Sequence, residues 1–204
     1  MSTSLVSKDP LARLAERLSA ISPETERAMQ ASIAGTVHRL GGNKLRHVLH
    51  GDWLHEPLHV VLTDVPIGAW TATVAFDAIA SLSGDSSTTK SMNKAADATL
   101  VLGLIGAMGA AVTGLNDWSE IQKPAARKIG LVHGALNIVA TALFAGSFIA
   151  RAQSNRATGR SLAALGYLFV SVSAHLGGNL VYEHGIGVTA GQKADDVTGS
   201  MHQA

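Results

Sequence analysis

The sequence predicts an all-α integral membrane protein, a four-helix bundle preceded by an amphipathic helical leader. Three stretches, 98–115, 129–150 and 161–182, contain no Asp, Glu, Lys or Arg over 18, 22 and 22 residues. A fourth apolar stretch, 58–82, is interrupted only by Asp64 and Asp77. Because a helix rises about 1.5 Å per residue, about 20 apolar residues cross a bilayer core of roughly 30 Å. We predict a transmembrane domain over residues 58–188, with spans at about 58–82, 95–115, 129–150 and 161–182.

The leader, residues 1–57, is predicted to form two short amphipathic helices. Asp9 before Pro10 and Ser22 before Pro23 each pair a capping residue with the proline that suits the first helical position. The leader has no apolar core of a signal peptide. We expect it to lie on the membrane surface, to contact a partner or to form a solvated hairpin. An apolar stripe at helical spacing runs along the first helix: Leu11, Leu14, Leu18 and Ile21.

Composition restricts the chemistry that this chain can perform. The net charge of the 204 residues is only +1, which argues against nucleic acid as a partner. There is no cysteine, so disulfides, thiolate metal sites and protein-borne iron–sulfur clusters are excluded. The expected partner is a lipid bilayer, the inner (plasma) membrane of the cell, with both termini in the cytoplasm. The polar tail, 189–204, is predicted to be disordered.

Small residues on the second span predict close helix packing. Gly106, Ala110 and Gly114 recur every four residues, a spacing that lets another helix approach closely. The approaching helix belongs either to the same chain or to a second copy in a homo-oligomer.

The distribution of histidines is the most informative polar pattern. Five of the nine lie at or inside predicted span ends, and the alternating direction of the helices puts all five on the same side of the membrane. Several Asp, Asn and Glu residues fall on that side, whereas the opposite half is mainly small and apolar and is expected to be dry. Ionisable groups inside a membrane are costly and usually functional. The five are His55, His59, His133, His175 and His184.

Three kinds of site fit these residues, and the sequence leaves them open. In the first, His133 and His175 are the axial ligands of a b-type haem in the bundle core, where glycines make room for a macrocycle. The second is a proton relay or quinone head-group site formed by Asp64, His133 and His175. Taken together, the predicted cofactor-binding residues are His133, His175, His59, Asn137 and Asn179.

The third kind of site is a metal ion near the membrane surface, since neutral imidazole also suits copper, zinc and non-haem iron. His55 and His59 would share a helix face only if the first span began at or before Pro57. The predicted metal ligands are His55, His59, His184, Asp64 and Glu183.

Several motifs in these same regions resemble one bacterial family, catalogued as domain of unknown function 2231. The resemblance covers about residues 50–188, with Glu56 inserted where the family pattern reads HPLH. The motifs are HEPLH (55–59), LTDVPIGAW (62–70), GLNDW (114–118), GLVHGALN (130–137) and SAHLGGNLVYEHGIGV (173–188).

The family implies four spans, and some of its members are fused to, or encoded beside, a Rieske iron–sulfur domain. The resemblance therefore implies an electron-transfer or anchor component that works with a separate Rieske-type protein. The alternative is a cofactor-free membrane scaffold or a protein that conducts protons or ions. No nucleophile and base are recognisable as an enzyme's catalytic pair.

Overall fold

The computed structural model describes residues 9–19 and 21–187, and the predicted fold class is confirmed. All regular secondary structure in these residues is helical. Four of the helices, α3 to α6, are long and apolar enough to cross a membrane. The predicted tail, 189–204, lies outside the described residues. The helices are α1 Pro10–Leu18, α2 Pro23–His50, α3 Leu58–Leu82, α4 Ser86–Trp118, α5 Pro124–Ala152 and α6 Arg156–Tyr182.

Both predicted helix starts in the leader are confirmed. The Asp9 side chain accepts a hydrogen bond from the Leu11 N–H, and the Ser22 hydroxyl accepts one from the Thr25 N–H. The prediction of a short second helix is wrong, because α2 has 28 residues. It bends at Gly42, whose φ of 58° is accessible at little cost only to glycine.

Helices α4 to α6 begin several residues before the predicted spans. The Asp85 carboxylate accepts from the Thr88 N–H at the start of α4, and the Asn155 amide oxygen accepts from the Thr158 N–H at the start of α6. Helix ends are fixed by such caps, whereas the apolar stretch reports only the part of a helix that contacts lipid. The apolar pattern therefore predicted the spans and missed the polar first turns.

The chain divides into two compact units, each built from segments that are distant in sequence. The terminal unit comprises Met1–Val61, Ala111–Gly134 and Ala174–Ala204. The loop unit comprises Leu62–Ala110 and Ala135–Ser173.

The loop unit is organised around a stacked aromatic pair. The rings of Trp70 and Phe144 lie 4.0 Å apart and are nearly parallel, with an angle of 7°. A glycine lies against each ring: Trp70 contacts Gly103, and Phe144 contacts Gly166. Buried Leu100, Ala140, Ala163 and Val170 complete this core.

In the terminal unit, side chains of α2 form hydrogen bonds with the end of α4, the connection that follows it and the start of α5. Glu26 is fully buried and accepts a 2.8 Å hydrogen bond from the guanidinium of Arg127. The Gln30 amide donates to the backbone oxygens of Trp118 (2.8 Å) and Ile121 (3.0 Å). Trp118 is the last residue of α4, and Ile121 lies in the connection that follows it. Helix α2 is therefore an integral part of this unit.

Candidate functional site: an imidazole pair in the terminal unit

Two predicted site residues, His59 and His133, meet in the terminal unit. His59 lies in the first turn of α3, and His133 lies in the third turn of α5. Their ring centroids are 6.4 Å apart, and the ring planes are nearly perpendicular at 88°. Both residues are half-buried. Two titratable side chains from different helices thus share one partly enclosed position.

A glycine lies against each imidazole. A Cβ at Gly114 would stand 2.6 Å from His59 Cε1, and a Cβ at Gly177 would stand 3.1 Å from His133 Cε1. Both distances are shorter than ordinary van der Waals contacts. Two glycines, one on α4 and one on α6, therefore give the imidazole rings direct contact with helix backbone.

His175 does not join this pair. Its side chain is 53% exposed and forms an ion pair with Asp9 of the leader. His133 packs against Gly177, which follows His175 by two residues on α6. Residues two apart on a helix are rotated by about 200° about its axis. The side of α6 that meets His133 is therefore not the side that carries His175.

The two asparagines of the predicted cofactor site differ in exposure. Asn179 is buried with 7% of its surface exposed, whereas Asn137 is half-buried. Asn137 follows His133 by four residues, one turn along α5.

The predicted metal ligands are dispersed. His55 precedes α3 in a turn with φ of 60°, so it does not share a helix face with His59. His55, Asp64 and Glu183 are exposed. The backbone oxygen of His184 accepts a 2.8 Å hydrogen bond from Lys123, and its buried Nε2 has no hydrogen bond within the described residues. Across residues 9–19 and 21–187, no three His, Asp or Glu side chains are grouped to hold a metal ion.

The glycines that were expected to make room for a haem accommodate side chains. In the loop unit, Trp70 lies against Gly103, and Val65 and Pro66 lie against Gly106. In the terminal unit, Trp118 lies against Gly130, as His59 does against Gly114. The small residues of α4 thus serve close packing against α3. Haem ligation by His133 and His175 stays a prediction that this packing does not support.

The loop unit contains a polar cluster that sequence reasoning missed, and the expectation of a dry half is wrong. The guanidinium of Arg151 pairs with Asp77 and with Asp97 (3.1 Å), and its side chain is only 4% exposed. Arg156 donates to Asp97 (2.6 Å), and Arg160 donates to Asn93 (2.8 Å). The available signal was Asp77 inside the first span, because a buried carboxylate requires a cation.

A second charged cluster joins the end of α2 to the end of α4. His50 Nδ1 lies 2.9 Å from Asp117 Oδ1, and His50 Nε2 lies 3.1 Å from Glu120 Oε2. Glu120 also pairs with Arg46. Hydrogen bonding to Asp117, followed by Glu120, outweighs burial and raises the pKa of His50 to about 9. His50 is therefore a cation at neutral pH.

These features define a polytopic α-helical membrane protein with a histidine pair in one compact unit and a buried Arg–Asp cluster in the other. Residues 55–190 match the family described as "Predicted membrane protein (DUF2231)". The chain belongs to this family. Neither a search of curated proteins nor one of solved structures gives a match.

Proposed function

We propose that this protein binds the head group of a quinone at His59 and His133 and serves as a membrane electron-transfer or anchor component. The observation that carries the proposal is the edge contact of two half-buried imidazoles from α3 and α5. Ionisable residues are expensive within a membrane protein and are rare there without a function. A histidine gains or loses its proton near neutral pH, which suits a ligand whose reduction and oxidation move protons.

The surrounding packing favours a small ligand over a macrocycle. The glycines beside the two imidazoles are in contact with the rings themselves, so they do not create a slot for a porphyrin. A quinone head group needs only a hydrogen-bond partner at each carbonyl and an apolar surface for its ring. His59 and His133 can supply these hydrogen bonds through their ring nitrogens.

The test is a ligand titration of the detergent-purified protein. Short-chain ubiquinone and menaquinone analogues should raise Tm by about 5 °C at a hundredfold excess over Kd, because a ligand that binds only the folded state stabilises it. His59→Gln and His133→Gln retain a polar side chain of similar size without the titratable ring, and each should abolish the shift. His38→Gln, at an exposed histidine on α2, is the matched control and should keep it.

An absorption spectrum before and after dithionite separates the alternatives. A Soret band with sharp reduced bands, lost in His133→Ala or His175→Ala, would replace the quinone proposal with a b-type haem. A colourless protein with no quinone-dependent shift would leave the cofactor-free scaffold or proton path. The cofactor-free alternative is favoured by the same glycine contacts, because side chains already occupy the space beside these glycines.

We infer the redox partner from the family resemblance alone. These 204 residues contain no cysteine, so they do not themselves hold a Rieske cluster. Reconstituted with a quinol and a purified bacterial Rieske-type protein, the wild type should accelerate reduction of the cluster, and His59→Gln should not. Equal rates with and without the membrane protein would contradict this partnership.

A further inference from the structure

Helix α1 has three distinct faces. Ala12 and Ala15 are buried, with 0% and 2% of their surfaces exposed. Arg13 and Arg17 are exposed on another side of the helix. The third face carries the apolar stripe predicted from the sequence, and it points outward: Leu11, Leu14 and Leu18 are 42%, 50% and 64% exposed.

Contacts at both ends of α1 fix its level relative to the spanning helices. At the first end, Asp9 pairs with His175 of α6. At the other end, the Ser19 hydroxyl donates to Glu26, which is held by Arg127 near the start of α5. The helix is therefore held at two points, directly on α6 at one end and, through Glu26 of α2, on α5 at the other.

These two points lie at different depths. His133 contacts Gly177, which places those residues level with each other. Arg127 precedes His133 by six residues on α5, so it lies nearer the terminal side of the membrane. His175 precedes Gly177 by two residues on α6, so it lies further from the terminal side. From the helical rise, His175 lies about 12 Å deeper than Arg127. Because α1 is only nine residues long, it must slope steeply from the surface into the membrane.

We propose that α1 is inserted obliquely into the leaflet on the terminal side, with its leucine face against lipid acyl chains and its first turn deepest. A neighbouring protein is a poorer occupant of the leucine face. The face belongs to a helix that is fastened to a membrane span, and it is bordered by the alanine face that already packs on protein. Arg13 and Arg17 are long enough to extend to the lipid head groups.

The test uses the absence of cysteine in the native chain, since a single introduced cysteine is the only labelling site. Spin labels at Leu11→Cys, Leu14→Cys and Leu18→Cys are studied by power saturation in proteoliposomes of phosphatidylethanolamine and phosphatidylglycerol. Oxygen concentrates in the acyl region, and a water-soluble nickel chelate is excluded from it. Arg17→Cys is the aqueous control, and Leu168→Cys, 63% exposed on α6, is the membrane control.

The three leucine labels should collide with oxygen in preference to nickel, as the Leu168 label does, and the Arg17 label should show the reverse. The preference should increase from position 18 to position 14 to position 11. A Leu14 label that resembles the Arg17 label would overturn the insertion. A label shielded from both reagents would overturn it as well, in favour of a protein on this face. Equal depth at all three positions would overturn the slope.

The ion pair at the deep end provides a second measurement. Asp9→Asn keeps a side chain that can cap the helix but removes the charge that pairs with His175. In this background, and in His175→Gln, the label at position 11 should become shallower, while the Leu168 label should not change. An unchanged depth at position 11 in both variants would show that Asp9 and His175 do not hold α1 in the leaflet.

Discussion

Gly114 lies directly against the imidazole of His59, and any Cβ at this position would stand 2.6 Å from the ring. The contact ties the identity of a residue on α4 to the position of a functional candidate on α3. A small residue in a membrane helix is usually explained by helix packing. Here it also determines where an imidazole can lie.

Substitution of Gly114 should therefore disturb the imidazole pair. We expect Gly114→Ala to displace His59 and to abolish the quinone-dependent rise in Tm. Gly68→Ala on α3 is the matched control, because nothing lies within 4 Å of a Cβ there. Histidine ring resonances in NMR spectra should shift for Gly114→Ala and stay in place for Gly68→Ala. Identical spectra for wild type and Gly114→Ala would show that the position of the His59 ring does not depend on the glycine at 114.

The buried pair of Glu26 and Arg127 should hold the leader on the membrane domain. Glu26→Gln leaves the guanidinium of Arg127 buried without its counter-charge, and we expect a loss of about 3 kcal/mol in the free energy of unfolding. Glu24→Gln, at an exposed acidic residue of the same helix turn, should change it by less than about 0.5 kcal/mol. Thermal unfolding and trypsin cleavage of the leader measure both. If the leader of Glu26→Gln resisted trypsin as well as that of the wild type, the Glu26–Arg127 pair would not be what holds the leader on the membrane domain.

His50 should make stability depend on pH in the alkaline range. Its pKa is about 9 in the folded protein, above the ordinary value of 6.5, mainly because of the hydrogen bond to Asp117. The folded state thus binds a proton more tightly than the unfolded state, so the stabilisation is complete below pH 6.5 and is lost as pH rises through 9.

We expect the wild type to lose about 1–3 kcal/mol across this range relative to His50→Gln. Tm measured at intervals between these two pH values compares the proteins, with His38→Gln as control. Parallel curves for wild type and His50→Gln would contradict the assignment.

The cluster around Arg151 should be essential to the loop unit. Arg151→Met leaves Asp77 buried without its closest cation, and we expect a loss of about 3–5 kcal/mol. The double variant Asp77→Leu, Arg151→Met removes both charges and should recover part of it. Lys94→Met, at an exposed lysine, is the control. Thermal unfolding in detergent measures all three, and equal Tm for the single and double variants would show that the charges do not depend on each other.

The sequence by itself determined the class of this protein. Uncharged stretches of about 20 residues admit few structures other than spanning helices, because a backbone in lipid must satisfy its own hydrogen bonds. The caps Asp9 and Ser22 could be identified for a similar reason, since capping depends on residues that are neighbours in sequence. Asp77 was visible as a charge inside a span, but its cation, Arg151, was not identifiable.

Only the tertiary structure decided which polar residues meet. His133 was predicted to face His175, and it lies beside His59 instead, because the rotation of each helix about its axis is set by contacts such as that of His133 with Gly177. The leucine stripe of α1 was correctly predicted, yet its outward direction depends on the burial of Ala12 and Ala15. Local sequence fixes where helices form and how apolar they are. Packing between residues far apart in the chain fixes which face of each helix is turned inward.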